Sequence, residues 1–356
     1  MGLTMNLFSR DLKFLLGLVL CLCLSACSPQ QEILLIEGAA QGTTYHISYV
    51  PSAKTNNSTQ NALAAEIEKE LARLDKSISN YRTDSNIEQF NSQISTDPIE
   101  TSEEIVYLIE TARSVNKASN GCYDITIKPL FDLWGFKKNV FSEPSDEALA
   151  STLALVGMDK LETLDKTHLR KKVPSLRVDL SSIGQGYSIG KLAALLEAHD
   201  IANYIVEIGG ELKVRGQKPN GKPWRLALEK PLSNERKIEK IAVFNTTAPM
   251  SMMPSGTYHH FFDANGKRYS HILDARTGKP ITHSSASATV LNPDPTLADA
   301  WSTALLCLGS AEGINLANTH GIAALYIDQS SGGFSEKPTQ ALTKLTSISF
   351  ENAKDN

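Results

Sequence analysis

A chain of 356 residues with 41% hydrophobic side chains is long enough to bury one large core or two smaller ones. Its formal net charge of −4 leaves no basic surplus for nucleic acid, which is excluded as a partner. The five cysteines form no CxxC pair, and the eight histidines form no run with the spacing of a zinc site.

Arg10 and Lys13 precede an apolar run from Phe14 to Leu24 that is too short for an ordinary transmembrane span, and Leu24-Ser25-Ala26-Cys27 overlaps its end. Residues 1–26 read as a signal peptide. The small residues before Cys27 follow the pattern of a bacterial lipoprotein signal, with cleavage before Cys27 and lipid on its sulfur and amine. Acyl chains, at about 0.8 kcal/mol per buried CH₂, then hold the domain on an envelope membrane, facing the periplasm. Cys21 and Cys23 leave with the signal, so Cys122 and Cys307 remain in the folded chain. Their apolar flanks predict buried thiols, with a disulfide in an oxidising compartment as the alternative.

Residues 27–37 read as a lipid-anchored tether and 38–350 as the folded domain. A strand is expected over Thr43 to Val50, a polar loop over Ser52 to Gln60, and a helix over Ala62 to Ile78 with Leu63, Ile67, Leu71 and Leu74 on one face. Thr101-x-x-Glu104 is the pattern of a capping box opening a helix to about Ala118, which Asn120-Gly121 stops. A strand over Leu176 to Leu180 leads through Gly184 and Gly186 into a helix over Tyr187 to His199. Strands follow at Tyr204 to Ile208, Trp224 to Glu229, Ile241 to Phe244, Arg268 to Ile272 and Ala286 to Leu291. Asp294-Pro295 caps a helix that Gly309 ends; a last helix near Ala311 to Thr319 and a strand at Ala323 to Ile327 close the pattern. Strands segregated from helices predict an α+β fold with largely antiparallel sheets.

Three stretches carry chemistry. Asp299 and Thr303 lie four residues apart on one face of an apolar helix, either as hard oxygen ligands for Mg²⁺ or as a polar pair that caps the helix. In Gly121 to Phe136, Asp124 and Thr126 on one side of a strand could bind a polar heterocycle, with Phe131, Trp134 and Phe136 shaping its pocket or forming an ordinary aromatic core. From Asp179 to Tyr187 a strand turns into a helix through two glycines, a place where backbone amides can face phosphate.

Taken in order, these stretches and their neighbours resemble the ApbE family of FAD:protein FMN transferases. The matching residues are Gly42-Thr43-Thr44-Tyr45, Ser79 to Ser85 with Phe90-Asn91, Tyr123-Asp124-Ile125-Thr126 through Trp134-Gly135-Phe136, and Asp179 to Tyr187. They continue with Glu207-Ile208-Gly209-Gly210, Ser255-Gly256-Thr257-Tyr258, Gly266 to Asp274 through Arg276 to Pro280, and Ala298 to Gly309. The resemblance implies an ApbE-like, T-fold-related domain that transfers the FMN half of FAD to a Thr or Ser of a partner flavoprotein, releasing AMP with Mg²⁺ as cofactor. It implies membrane redox subunits of the Nqr and Rnf type as acceptors. It also implies Asp299, Thr303 and a backbone carbonyl at Ser182 as metal ligands. Gln41, Tyr81, Cys122, Tyr123, Asp124, Asp179, Gln185 and Leu273 would line the FAD site. His271 is the candidate for moving the acceptor proton beside catalytic Asp299, and Asp274 is expected to fix the following turn.

The chain departs from the family pattern at Gln41 for Met, Gln185 for Lys or an acid, Gly190 for Asp, Pro254 for Thr and Ala275 for Pro. Gln185 loses a charge at the phosphate, and Pro254 loses an amide donor next to Ser255. Two alternatives accompany the transferase reading: hydrolysis of FAD by water in the same site, and a non-catalytic FAD-binding lipoprotein.

Overall fold

The computed structural model describes residues 32–352 apart from 53, 230–237, 259 and 265. The expected signal peptide and the lipidation site Cys27 lie outside the described residues.

The frame is an eight-stranded sheet: β1 (Leu34–Ala40), β2 (Thr43–Tyr49), β3 (Tyr204–Ile208), β4 (Glu211–Arg215), β5 (Met250–Gly256), β6 (Ser285–Asn292), β7 (Ala323–Ser330) and β8 (Gly333–Pro338). Its spatial order is the chain order, and each neighbouring pair is antiparallel. Alternating side chains feed two cores. Tyr204, Val206, Met253, Val290, Ala324 and Tyr326 face the larger cluster under the helices. Their neighbours Ile205, Met252, Leu291 and Leu325 face a second cluster, closed by Trp224, Ala242, Phe244 and Ile348 of a small sheet formed by Trp224–Glu229, Ile238–Phe244 and Ile348–Asn352.

The helices are α1 (Asn57–Ile78), α2 (Asn86–Ser92), α3 (Glu103–Ala118), α4 (Lys128–Leu133), α5 (Asp146–Leu153), α6 (Gly184–Ala198), α7 (Pro295–Thr319) and α8 (Gln340–Lys344). α1 buries Leu63, Ile67, Leu71 and Leu74, the face its spacing predicts. α7 breaks at Gly309, whose φ of 69° and ψ of 170° separate the two expected helices. The ring of His283 lies 2.7 Å from where a Cβ on Gly309 would stand, so glycine is required there twice over. The sheet and helices agree with the expected α+β class.

Four local expectations are corrected. The tether gives way at Leu34 to strand β1, because Ile36 is buried against the core. The loop after β2 ends at Asn56, which forms a reciprocal capping box with Thr59 and starts α1 at Asn57 rather than Ala62. Ser102, not Thr101, caps α3 by accepting from the Ile105 amide, because the extended backbone belongs to Ser102. Residues 176–180 are extended but join no sheet, because the side-chain amides of Asn80 and Asn91 take the hydrogen bonds a neighbouring strand would have made.

Candidate functional site

The site begins where α6 crosses α7. A Cβ on Gly186 would stand 2.7 Å from Asp299 Cβ, and the glycine allows the two helices to touch. Its amide donates to Asp299 Oδ2 at 2.9 Å, aiming a buried carboxylate at the amino end of α6. That end begins after Ile183, whose own side chain makes no cap; the Gly184 amide donates to the Leu180 carbonyl at 2.8 Å, and in the first turn the acid from α7 takes the place of a capping side chain. Thr303 lies one turn beyond Asp299, and its hydroxyl is 3.2 Å from Ser255 Oγ. Ser255 also meets Ser302 Oγ at 2.7 Å, and Ser302 donates to the Asp299 carbonyl at 2.8 Å. Pro254 costs the sheet nothing here: β4 pairs with β5 only over Met250–Met252, so the missing amide falls beyond the β4 ladder.

Glu211, the first residue of β4, is buried, and its Oε2 has no hydrogen-bond partner. Burial and the charge of Asp299 together push the Glu211 carboxyl well above the ordinary carboxylate range. Burial also raises Asp299, against the lowering effect of the Gly186 amide. Two buried carboxylates that repel each other are a poor structural device unless a cation joins them. Hard oxygens on Asp299 and Thr303, with the Glu211 carboxylate to balance the charge, are groups that suit a divalent cation such as Mg²⁺. The residues present fit the metal.

The residues expected to line a flavin site split into two groups. Tyr81 is 86% exposed, two residues after Ser79, the C-cap of α1, to whose hydroxyl its amide donates at 3.3 Å. Tyr123 is buried, and its hydroxyl accepts from Ser182 Oγ at 3.3 Å, tying it to the turn before α6. Asp179 accepts from the Ser181 amide at 2.9 Å and from the Ser181 hydroxyl, folding that turn on itself. Gln185 reaches toward Gly209, where a Cβ would stand 3.0 Å from its Nε2. Gln41, in a left-handed conformation at φ 52°, donates through Nε2 to Ser188 Oγ at 2.7 Å, while its buried Oε1 has no partner. Leu273 is buried in the short hairpin with Pro280.

Asp124 is not in a strand. It caps a 3₁₀ turn over Ile125–Ile127, since its side chain competes for the Thr126 amide and so breaks the extended run. Oδ1 takes the Thr126 amide and hydroxyl, and Oδ2 takes the Met158 amide at 3.0 Å and Asn116 Nδ2 at 3.2 Å. With both oxygens engaged by protein, Asp124 shapes the loop that carries Tyr123.

The expectation of buried thiols is overturned: Cys122 and Cys307 are bonded as a disulfide, with Cα atoms 6.1 Å apart. Each cysteine is buried, as its apolar flanks predict, but the fold brings the two backbones within bridging range. Cys307 lies one turn beyond Thr303, so the bridge staples the helix of the candidate metal ligands to the Tyr123 loop.

His271 Nδ1 donates to the His260 carbonyl at 2.8 Å, which fixes the neutral ring with Nε2 as its basic nitrogen. The two imidazoles stack with centroids 5.7 Å apart. Asp274 does fix its turn: its Oδ1 accepts from the Arg276 amide at 2.9 Å, and its carbonyl accepts from the Gly278 amide at 2.7 Å.

Sequence reasoning passed over Glu211. The signal was faint: Glu211 directly follows Gly209-Gly210, and its face of β4 continues with Lys213 and Arg215, so alternation alone reads it as one more polar outward position.

Where α6 crosses α7, a buried acid on α7 and a second at the head of β4 stand beside the amino end of a helix, a setting suited to a cation and an anionic ligand. A sequence model of the ApbE family matches residues 41–326, and the chain belongs to that family. It is 37% identical to the FAD:protein FMN transferase of Haemophilus influenzae, covering 93% of this chain and 97% of the relative. It is 34% identical to that of Vibrio cholerae, over 91% and 96%. Among solved structures, it is similar to the flavin transferase ApbE from Vibrio cholerae at a TM-score of 0.79 and 33% identity, covering 88% of this chain and 99% of the other. The apo form of Pseudomonas stutzeri flavinyl transferase ApbE superposes at a TM-score of 0.80 and 34% identity, over 90% and 98%.

Proposed function

We propose that the chain is an FAD:protein FMN transferase that uses Mg²⁺. The observation that carries the metal is the pair of buried carboxylates, Asp299 and Glu211, set against the start of α6. Asp299, Thr303 and the Ser182 carbonyl are the ligands we assign, with Glu211 compensating the charge. Bound there, Mg²⁺ supplies charge neutralisation on the pyrophosphate of FAD. The positive pole at the head of α6 favours the same phosphates. The exposed ring of Tyr81 offers a stacking face to the flavin, Gln41, Cys122, Tyr123 and Leu273 shape the rest of the pocket around it with Asp124 holding the Tyr123 loop, and Asp179 and Gln185 line the FAD site on the side of its phosphates.

The acceptor hydroxyl of a Thr or Ser bonds to the phosphorus of the FMN half. The bond from that phosphorus to the bridging oxygen breaks, AMP leaves with that oxygen, and the hydroxyl proton passes to His271 Nε2. We assign membrane redox subunits of the Nqr and Rnf type as acceptors, and lipidated Cys27 as the anchor that keeps the enzyme on the periplasmic side of an envelope membrane beside them.

Incubating the protein with FAD, Mg²⁺ and a purified acceptor subunit tests the reading. The expected result is a fluorescent acceptor heavier by one FMN, with AMP formed in equal amount. AMP released equally without acceptor would make the chain a pyrophosphatase; FAD bound with neither product would leave a binding protein.

A further inference from the structure

One cluster of buried charge lies outside the site just described. Glu88 on α2 is half-buried, and its Oε1 accepts three donors: Lys128 Nζ, Asn80 Nδ2 at 2.8 Å and Asn91 Nδ2 at 2.8 Å. Lys128, the first residue of α4, is buried and pairs with Glu88. Burial raises the Glu88 carboxyl, but the three donors outweigh burial and hold it below its ordinary value, so it is charged.

A carboxylate only accepts, so it dictates how both amides face. Each turns its NH₂ toward Glu88 and its oxygen the other way, onto the segment that leads into α6. Asn91 Oδ1 accepts from the Val178 amide at 2.7 Å, and its Nδ2 donates to the Val178 carbonyl at 2.8 Å. Asn80 Oδ1 accepts from the Leu180 amide at 2.6 Å, and its Nδ2 reaches the same Val178 carbonyl at 3.0 Å. The residues on both sides of Asp179 are thus held by side chains that one carboxylate anchors in the orientation the backbone requires. The chain then runs through Ser182 into the start of α6.

We propose that Glu88, with Lys128 as its counterion, is a positioning residue that sets the turn 179–186 to receive the pyrophosphate of FAD. The inference rests on the reading of that turn as the phosphate and metal face of the site. An ordinary structural ion pair would stabilise the domain without favouring one ligand over another. This one acts on the element that meets phosphate and leaves the flavin face to Tyr81 and the Tyr123 loop. Its signature is therefore selectivity: FAD, which carries the pyrophosphate, depends on Glu88, and riboflavin, which carries no phosphate, does not.

The test measures the binding of FAD and of riboflavin, each with Mg²⁺, by quenching of flavin fluorescence, alongside thermal unfolding of the same preparations. Glu88→Gln is the first variant. Glu88→Leu combined with Lys128→Met is the second, because it removes both charges and leaves none unpaired in the interior. It decides the matter where the single variant fails to fold. The expected result is that preference for FAD over riboflavin falls by about tenfold or more, with riboflavin affinity held within about twofold. Equal weakening of both ligands, or no change in either, overturns the proposal. Asp299→Ala separates the two readings: it is expected to lose the Mg²⁺-dependent gain in FAD affinity. If it does while both Glu88 variants keep full selectivity, Glu88 alone is refuted. If all three leave FAD binding unchanged, the metal reading falls with it.

Discussion

The backbone amide of Gly186 donates to the carboxylate of Asp299 at 2.9 Å, so one helix aims an acid carried by another. The contact requires a residue without a side chain. In Gly186→Ala the new Cβ would stand 2.7 Å from Asp299 Cβ, and closer still to the Pro295 carbonyl. The helices must part, with an expected loss of about 1–3 kcal/mol of stability and of Mg²⁺-dependent turnover. Thermal unfolding and a Mg²⁺ titration of transfer check both; full activity at wild-type Mg²⁺ concentration would show that the crossing does not set the site.

Asp299→Ala is expected to abolish Mg²⁺-dependent transfer while the domain stays folded. Glu211→Gln keeps the shape of its side chain but loses the compensating charge, so Mg²⁺ should bind more weakly and the metal-free domain should gain stability. Calorimetric Mg²⁺ titration of each variant in the presence of FAD decides. Unaltered Mg²⁺ affinity in both would remove this pair from the metal centre.

The raised carboxyls make stability depend on pH with a definite sign. A folded state whose acids have raised pKa binds more protons than the unfolded chain, so its stability falls as pH rises above the ordinary carboxylate value of about 4. Burial raises Asp299, and burial with the Asp299 charge raises Glu211, so metal-free protein should lose thermal stability from that pH upward. Mg²⁺ reverses the sign, because its binding needs both groups ionised and expels their protons. Unfolding temperatures across pH, with chelator and with Mg²⁺, should therefore diverge as pH rises; parallel curves would contradict the coupling.

The bond between Cys122 and Cys307 closes a loop with a sequence separation of 185 residues. Replacing both cysteines with serine, or reducing them, is expected to cost about 2–4 kcal/mol of stability. Thiol titration of unfolded, unreduced protein should find neither sulfur reactive. Two titrating thiols there would restore the reading that the sequence favours.

His271→Gln is expected to slow transfer about 10²- to 10⁴-fold, the range for a general base, while leaving FAD affinity unchanged. Single-turnover transfer and flavin quenching measure the two separately. A loss of FAD affinity equal to the loss of rate would make His271 a binding residue instead.

Much of the frame is legible in the sequence because strand alternation and helix spacing are local. The faces of α1 and α7, the cap at Asp294 and the stop at Gly309 follow from residues within a few positions of one another. What stays hidden depends on distant partners. Asn80 and Asn91 substitute for a neighbouring strand at Val178 and Leu180, about a hundred positions along the chain, and no periodicity announces this. The same holds for the cysteine pair, whose apolar flanks report burial but not that two backbones meet. Asp299 and Thr303 are visible as a pair on one helix face; Glu211 becomes their companion only when β4 packs on α6 and α6 crosses α7.

Because the sheet is assembled in chain order, much of the site is carried on excursions between neighbouring strands, while Glu211 and Ser255 stand on the strands β4 and β5 themselves. The turn 179–186 comes from the β2 to β3 connection, His271 from β5 to β6, and Asp299 and Thr303 from β6 to β7. A growing chain thus builds most of its frame before the last excursion supplies the acid that completes the cation site. Any fragment ending before Pro295 lacks that acid however much of the sheet it has formed, so metal-dependent flavin binding serves as an internal proof of completion. A copy that ends before Pro295 should therefore fail to transfer FMN from FAD.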